Sequence, residues 1–153
     1  MSVTFDSNVL VYAFDDAAGR KHERARALIY EARDSSLILT AQALGEFLNV
    51  VRRKMPQHQD IVRDQADRLC ALFPIIPTRA ADMIRGADFA RRHSLQYWDS
   101  VIWQVASAAG ATALISEDMQ DGLVLDGMMV INPFNAANDE LVSLLLAETR
   151  SKD

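Results

Sequence analysis

The sequence is poor in the residues that build secreted, linker-rich or zinc-binding proteins. Of its 153 residues, one is cysteine, six are glycine, four are proline and three are histidine. Because Cys70 is the single cysteine, no intrachain disulfide can form, and the lack of disulfides is typical of proteins in a reducing compartment. We expect Cys70 to be a small buried hydrophobe. The histidines have no zinc-ligand spacing, so we interpret all three as surface or structural residues: His22, His58 and His93.

Long apolar runs, internal repeats and low-complexity linkers are also missing. No apolar run approaches the length of a transmembrane helix, so we expect no contact with a membrane. The first residues lack the basic start and apolar stretch of a signal peptide, because Asp6 interrupts them early. We therefore expect a cytoplasmic protein that forms a single domain over residues 1–153.

The charge balance is acidic, with a formal net charge of -5. An excess of negative charge argues against a protein that binds nucleic acid through bulk positive charge. It does not exclude an enzyme that binds nucleic acid through metal ions, because the acidic residues of a metal site themselves add to the negative count.

Short apolar runs alternate with segments of helical periodicity. Strands are predicted at 3–5, 37–39, 113–115 and 128–131, with a short extended piece between Pro74 and Pro77. Helices are predicted at 20–33, up to 54 after a cap at Thr40, at 59–72, up to 93 after a cap at Thr78, at 98–109 and around 141–145. This alternation predicts an α/β fold in which helices cover both faces of a mainly parallel sheet.

Acidic side chains follow two of the predicted strands. Asp6 follows the first strand, and Ser116, Glu117 and Asp118 follow the strand at 113–115. In parallel sheets covered by helices, ligands bind beyond the carboxyl ends of the strands, which is where these residues are expected to lie. Taken alone, Asp6 has a simpler interpretation, because Asp and Ser often cap helices that begin after strands.

Two further acids lie on helices, beside apolar stripes. Glu46 borders the stripe that contains Leu44 and Phe47, and Asp99 has Ile102 one turn further along its helix. Together with the acids after the strands, they suggest a cluster of carboxylates whose mutual repulsion a divalent cation would relieve. Oxygen ligands without His or Cys suit Mg²⁺ or Mn²⁺ better than zinc.

Four segments occur in the order and spacing of a known family: Phe5-Asp6-Ser7-Asn8-Val9-Leu10-Val11-Tyr12, Glu46-Phe47, Trp98-Asp99-Ser100-Val101-Ile102 and Ser116-Glu117-Asp118. Over nearly its whole length the chain resembles the PIN-domain family, and it looks like the VapC-like nucleases of bacterial toxin–antitoxin pairs. The resemblance implies a PIN-like α/β/α sandwich around a mainly parallel sheet. It also implies an enzyme that hydrolyses single-stranded RNA with Mg²⁺ or Mn²⁺.

The resemblance assigns the acidic quartet to Asp6, Glu46, Asp99 and Asp118. Asp6 and Asp99 are expected to bind the metal directly, and Asp118 directly or through water. Glu46 is expected to bind a second ion or to orient the attacking water, and the number of ions stays open.

Two polar residues match supporting positions of the family, and one acidic position stays open. Asn8 is the polar residue after the first acid, and Ser116 is the hydroxyl residue before the last one. Because Glu117 adjoins Asp118 and Asp121 is close by, the sequence leaves open which of these three acids completes the site.

The resemblance also implies partners. We expect a small antitoxin protein and a homodimer, and the apolar helix around Leu141 to Leu145 supplies a candidate surface, although that helix could equally pack on its own core. The alternative function is a catalytically inactive PIN-like domain that acts as a partner-binding module. The presence of acids at all four positions counts against this alternative.

Overall fold

The protein is built around a six-stranded sheet with the order β3-β2-β1-β4-β6-β5. The computed structural model describes residues 2–148 and places the strands at β1 (Ser2–Phe5), β2 (Leu37–Thr40), β3 (Ile75–Ile76), β4 (Ala111–Ile115), β5 (Val124–Leu125) and β6 (Met128–Ile131). Paired strands are parallel, except that β5 runs antiparallel to β6. Met1 and residues 149–153 of the predicted single domain lie outside the described residues, and the domain assignment stays a prediction.

Helices cover both faces of this sheet. They are α1 (Ser7–Phe14), α2 (Arg20–Ala32), α3 (Ala41–Lys54), α4 (Gln59–Leu72), α5 (Ala80–His93), α6 (Tyr97–Ala108) and α7 (Asp139–Glu148). One core cluster packs α1 to α4 and α7 against the sheet, and a second packs α5 and α6 against the opposite face. The predicted α/β sandwich with a mainly parallel sheet is therefore confirmed. Within residues 2–148, no helix combines the length and apolarity needed to cross a membrane.

The strand order reverses between β1 and β4, in the middle of the sheet. From β1 the chain continues outward to β2 and β3, and then crosses back to β4 on the other side of β1. Phe5 pairs with Ile115 at the carboxyl ends of these two parallel strands. Asp6 and Ser116 therefore begin side by side at the switch point, where sheets of this kind bind their ligands.

Three local predictions differ from the structure. No range was predicted for helix α1, although the capping interpretation of Asp6 allows a helix there; it starts immediately after β1 with Asp6 as its N-cap. The short antiparallel strand β5 was also not predicted. The predicted cap at Thr78 was wrong by one residue, because Arg79 is the residue that precedes α5. The Arg79 backbone N–H donates to Asp82 Oδ2 at 2.8 Å, so the start of the helix is capped by an acid in its first turn and not by the Thr78 hydroxyl.

The prediction that Cys70 is buried was wrong, because its side chain is exposed. Helix α4 turns Val62, Ala66 and Leu69 toward the core. Their spacing of three to four residues defines the buried stripe, and Cys70 lies one position beyond it.

Helix α7 packs on the protein's own core. Val142 and Leu146 are buried, whereas Leu141 and Leu144 are exposed on the outer side of the helix. The buried stripe accounts for the apolar sequence without a second subunit. The homodimer therefore stays a prediction.

A close contact between α5 and α6 fixes the helix that carries Asp99. A Cβ atom on Gly86 of α5 would lie 2.8 Å from Val101 Cγ2 and 3.2 Å from Val101 Cα on α6. Only glycine leaves room for this approach of the two backbones. The position of Asp99, two residues before Val101, therefore depends on this helix spacing.

Candidate active site

Asp6 occupies the switch point and is almost fully buried, with 4% of its surface exposed. Its Oδ1 accepts a hydrogen bond at 2.7 Å from the backbone N–H of Ser7, the first residue of the helix that Asp6 caps. Its Oδ2 accepts a hydrogen bond from Ser116 Oγ at 2.7 Å. The capping interpretation is therefore correct, but it accounts for only one of the two carboxylate oxygens.

Asn8 connects the residues that follow β1 to those that follow β4. Its side-chain amide lies 3.3 Å from Asp6 Oδ2, 3.0 Å from Ser116 Oγ and 3.1 Å from Asp118 Oδ2, and it donates toward these three acceptors. Its Oδ1 accepts from the backbone N–H of Glu117 at 3.4 Å. Ser116 Oγ also accepts from the backbone N–H of Asp118 at 3.1 Å. Asn8 and Ser116 thus hold two carboxylates beside each other.

Glu46 approaches the same place from α3, and two neutral donors fix its side chain. Ser7 Oγ donates to Glu46 Oε2 at 3.1 Å, and Gln42 Nε2 donates to Glu46 Oε1 at 2.8 Å. The same Gln42 amide donates to the backbone carbonyl of Trp98 at 2.9 Å. The first turn of α6, which contains Asp99, is thereby tied to Glu46.

The four acids influence one another electrostatically. Glu46, Asp99 and Asp118 line one open cavity. Burial, followed by repulsion from Asp6, Glu46 and Asp118, raises the pKa of Asp99 to about 6. Burial also raises the pKa of Asp6, with smaller contributions from Glu46 and Asp118, although its hydrogen bonds from Ser116 and Ser7 act in the opposite direction. The structure therefore brings all four predicted acids together.

These raised pKa values predict how stability of the metal-free protein depends on pH. Between about pH 4 and pH 6 the folded protein holds a proton on Asp99 that the unfolded chain has released, so the free energy of unfolding falls as the pH rises. We expect a higher melting temperature in EDTA at about pH 5 than at about pH 7, and a smaller difference for Asp99→Asn.

The control for this experiment is Asp88→Asn. Its arginine neighbours Arg91 and Arg92 lower the pKa of Asp88, so this exposed acid is ionised throughout that pH window. The control should keep the wild-type difference in melting temperature. An Asp99→Asn protein with the full wild-type difference would contradict the electrostatic coupling.

The family model of the PIN domain matches residues 3–120 of the 153-residue chain. This chain belongs to the PIN-domain family. The matched region contains all four acids as well as Asn8 and Ser116. No curated protein sequence matches the chain.

Solved structures share the fold of this PIN domain at low sequence identity. VapBC2 from Rickettsia felis, bound to a DNA fragment from the promoter, matches with a TM-score of 0.63 and 15% identity, over 86% of this chain and 98% of that one. A toxin–antitoxin complex from Klebsiella pneumoniae matches with a TM-score of 0.64 and 20% identity over the same shares, 86% and 98%. Mycobacterium tuberculosis VapC20, described as a sarcin-ricin loop cleaving toxin, matches with a TM-score of 0.60 and 16% identity, over 73% of this chain and 86% of that one.

Contacts of this PIN domain separate the three acids that compete for the last position. Asp118 receives the Asn8 amide and lines the acidic cavity. Glu117 instead accepts hydrogen bonds from Tyr12 Oη and from Lys21 Nζ, the latter at 2.7 Å. Asp121 accepts hydrogen bonds from amide groups of the loop after β6, among them the backbone N–H of Asn132, which lies 2.9 Å from Asp121 Oδ1. The geometry therefore favours Asp118.

The donor set of the PIN domain suits a hard divalent cation. Its candidate ligand atoms are carboxylate oxygens, and repulsion between these acids adds to the burial that raises the pKa values of Asp6 and Asp99. Among residues 2–148, however, no group of three or more His, Cys, Asp or Glu side chains is arranged to hold one ion. Mg²⁺ commonly keeps several waters and uses one or two carboxylates, so the residues fit an ion with few direct ligands.

Several supporting residues were not predicted from sequence. Gln42 could have been found, because it lies four residues before Glu46 on the same helix face. Tyr12 and Lys21 hold Glu117 from more than ninety positions away, and no local pattern indicates these contacts.

Proposed function

We propose that this PIN domain is a Mg²⁺- or Mn²⁺-dependent endoribonuclease that hydrolyses single-stranded RNA, and that it is the toxin of a toxin–antitoxin pair. The observation that carries this proposal is the convergence of four carboxylates at the switch point, where burial and then repulsion from the other three raise the pKa of Asp99. The structural relatives include toxin–antitoxin complexes and a sarcin-ricin loop cleaving toxin, which supports the same class.

In this proposal Asp6 and Asp99 would hold the ion, and Asp118 would contact it directly or through water. A divalent ion at this place supplies electrostatic stabilisation of the charge that develops on the phosphoryl oxygens and makes water more acidic. Asn8 and Ser116 keep Asp6 Oδ2 in position through their hydrogen bonds.

Glu46 orients the attacking water. Each of its carboxylate oxygens accepts one hydrogen bond, Oε2 from Ser7 and Oε1 from Gln42, so the carboxylate is held in one orientation. Each oxygen still has a free lone pair that can accept a hydrogen bond from that water. Glu46 then takes the proton that the water loses as its oxygen bonds to phosphorus, while the P–O bond to one ribose oxygen breaks and the departing oxygen takes a proton from solvent.

The test is cleavage of a panel of structured and unstructured RNAs by the purified protein. We expect cleavage of unpaired segments with Mg²⁺ or Mn²⁺ and none in EDTA. A wild-type protein that cleaves no RNA under any metal condition would contradict the proposal and favour the catalytically inactive partner-binding module.

The antitoxin partner has a candidate groove on the opposite side of the sheet from α5 and α6. Apolar side chains of α1, α2, α3 and α4 line it, among them Leu10, Phe14 and Ile29. Three arginines also line this groove, although the chain as a whole is acidic: Arg26, Arg33 and Arg68. This combination suits an apolar segment of a small antitoxin that carries acidic residues beside its apolar ones.

Charge reversal at the groove tests this partner site. Arg68→Glu should weaken binding of the protein encoded by the adjacent reading frame by about tenfold or more, because it places like charges together. Arg63→Glu is the matched control, since Arg63 is exposed on the same helix and does not line the groove. Equal binding by both variants in calorimetry would show that the partner docks elsewhere.

A further inference from the structure

The two tryptophans of the protein are in opposite environments. Trp103 is fully buried, and its ring stacks on Phe89 with the two centroids 5.8 Å apart. Trp98 is 49% exposed, in the first turn of α6, immediately before Asp99. It borders the cavity that Glu46, Asp99 and Asp118 line. A large aromatic side chain therefore stands at the edge of the acidic cavity.

Contacts from two other helices fix the place of Trp98. Its backbone carbonyl accepts a hydrogen bond from Gln42 of α3, which also binds Glu46. Its ring meets the ring of Tyr97 edge-on, with centroids 4.9 Å apart and planes at 61°. Tyr97 Oη in turn donates to the backbone carbonyl of Met83 on α5 at 3.3 Å. The backbone of Trp98 is thus tied to the helix that carries Glu46, and the residue still exposes about half of its surface.

We propose that Trp98 is a stacking surface for a nucleobase next to the phosphate that is cleaved. The inference rests on the proposed ribonuclease function and adds the residue that selects unpaired RNA. A base has an uncharged aromatic face, so it can lie against Trp98 although the acidic cavity repels phosphates. Bases inside a duplex are stacked on each other, whereas bases of single strands are free to stack on aromatic side chains.

Cleavage kinetics with Trp98→Ala and Trp98→Phe test the inference. We expect Trp98→Ala to lower kcat/KM for single-stranded RNA by about 5- to 100-fold, mainly through KM, and Trp98→Phe to restore most of the loss. Leu144→Ala removes a similarly exposed apolar side chain from α7 and should leave the kinetics unchanged. An unchanged kcat/KM for Trp98→Ala would overturn the proposal.

A scan with single abasic nucleotides identifies the stacked base. One abasic position should reduce cleavage by the wild type by a factor similar to that of Trp98→Ala, and it should cause no further loss in that variant. Independent, multiplying effects of the two changes at every position would show that no base stacks on Trp98.

Tryptophan fluorescence tests base stacking on Trp98 without RNA cleavage, so this inference and the ribonuclease proposal can fail independently. Because Trp103 is buried, quenching by acrylamide reports mainly on Trp98. A short single-stranded oligonucleotide with uncharged methylphosphonate linkages, which the enzyme does not need to cleave, should protect Trp98 from acrylamide. If the oligonucleotide protects Trp98 but the protein cleaves no RNA, the ribonuclease proposal is contradicted and the stacking proposal is supported. If the protein cleaves RNA but the oligonucleotide does not protect Trp98, the stacking proposal is contradicted and the ribonuclease proposal is supported.

A second copy of the chain is the other molecule that could cover Trp98. In that case light scattering would show a dimer that Trp98→Ala converts into a monomer, with no effect of abasic nucleotides on cleavage. That result would overturn the inference.

Discussion

Asp99→Ala is expected to abolish metal-dependent cleavage of RNA and to leave the protein folded. If Asp99 only favoured the start of α6, its loss would cost about 1 kcal/mol of stability and would have no specific effect on activity. If it holds the ion, its loss removes stabilisation of the transition state, and each 1.36 kcal/mol lost costs about a factor of ten in rate. We therefore expect a loss of several orders of magnitude in rate.

Stability should change in the opposite direction from activity. Burial and, after it, repulsion from three neighbouring carboxylates raise the pKa of Asp99 to about 6, so removal of this side chain at neutral pH relieves both the burial of a charge and the repulsion. We expect a metal-free Asp99→Ala protein to melt at or above the wild-type temperature. The matched control is Asp88→Ala, an acid paired with arginines on α5, which should cleave RNA like the wild type. Full activity of Asp99→Ala would contradict the site assignment.

Asp6→Asn should lose Mg²⁺ binding. The substitution keeps the size of the side chain and a carbonyl oxygen that can still accept from the Ser7 N–H, but it removes one of the charges that attract the cation. Asp6 is also the member of the cluster that is most deeply buried, so water replaces its charge least well. We expect binding to fall by at least a hundredfold, about 2.7 kcal/mol.

Calorimetric titration of Mg²⁺ or Mn²⁺ into both proteins measures this difference. Asp118→Asn should weaken binding less than Asp6→Asn, because Asp118 is exposed and water can replace part of its contribution. Asp88→Asn, in the exposed acid used above, should bind like the wild type. Equal affinity in Asp6→Asn and the wild type would rule out Asp6 as a ligand.

The sequence predicted the sheet well, because buried parallel strands are short apolar runs between amphipathic helices. It gave no range for α1, because Val9 and Val11 lie close after the strand and β-branched residues favour extended structure. The helix forms because Asp6 caps it and because Val9 and Leu10 are buried in the core. Tertiary packing, which local propensity does not contain, decides its conformation.

The candidate site was predictable in its acids but not in its supports. Glu46 and Asp99 were identifiable because each borders an apolar stripe, and the order of the four acids pointed to one family. The choice among Glu117, Asp118 and Asp121 required the fold, because it depends on whether Asn8, Lys21 or the loop after β6 binds each one. These contacts join distant parts of the chain and have no local signature.

The arrangement around Asn8 joins a buried half of the site to an exposed half. Asp6 is buried at a strand end and capped into a helix, whereas Asp118 is exposed on a loop that reaches the cluster through the Asn8 amide and the Ser116 hydroxyl. Because fewer packing contacts hold Asp118 than Asp6, a ligand that restrains Asp118 further has to meet more of the entropic cost at this residue. By thermodynamic linkage, a ligand that orders Asp118 lowers this cost for the next one, so cation and RNA would each strengthen the binding of the other.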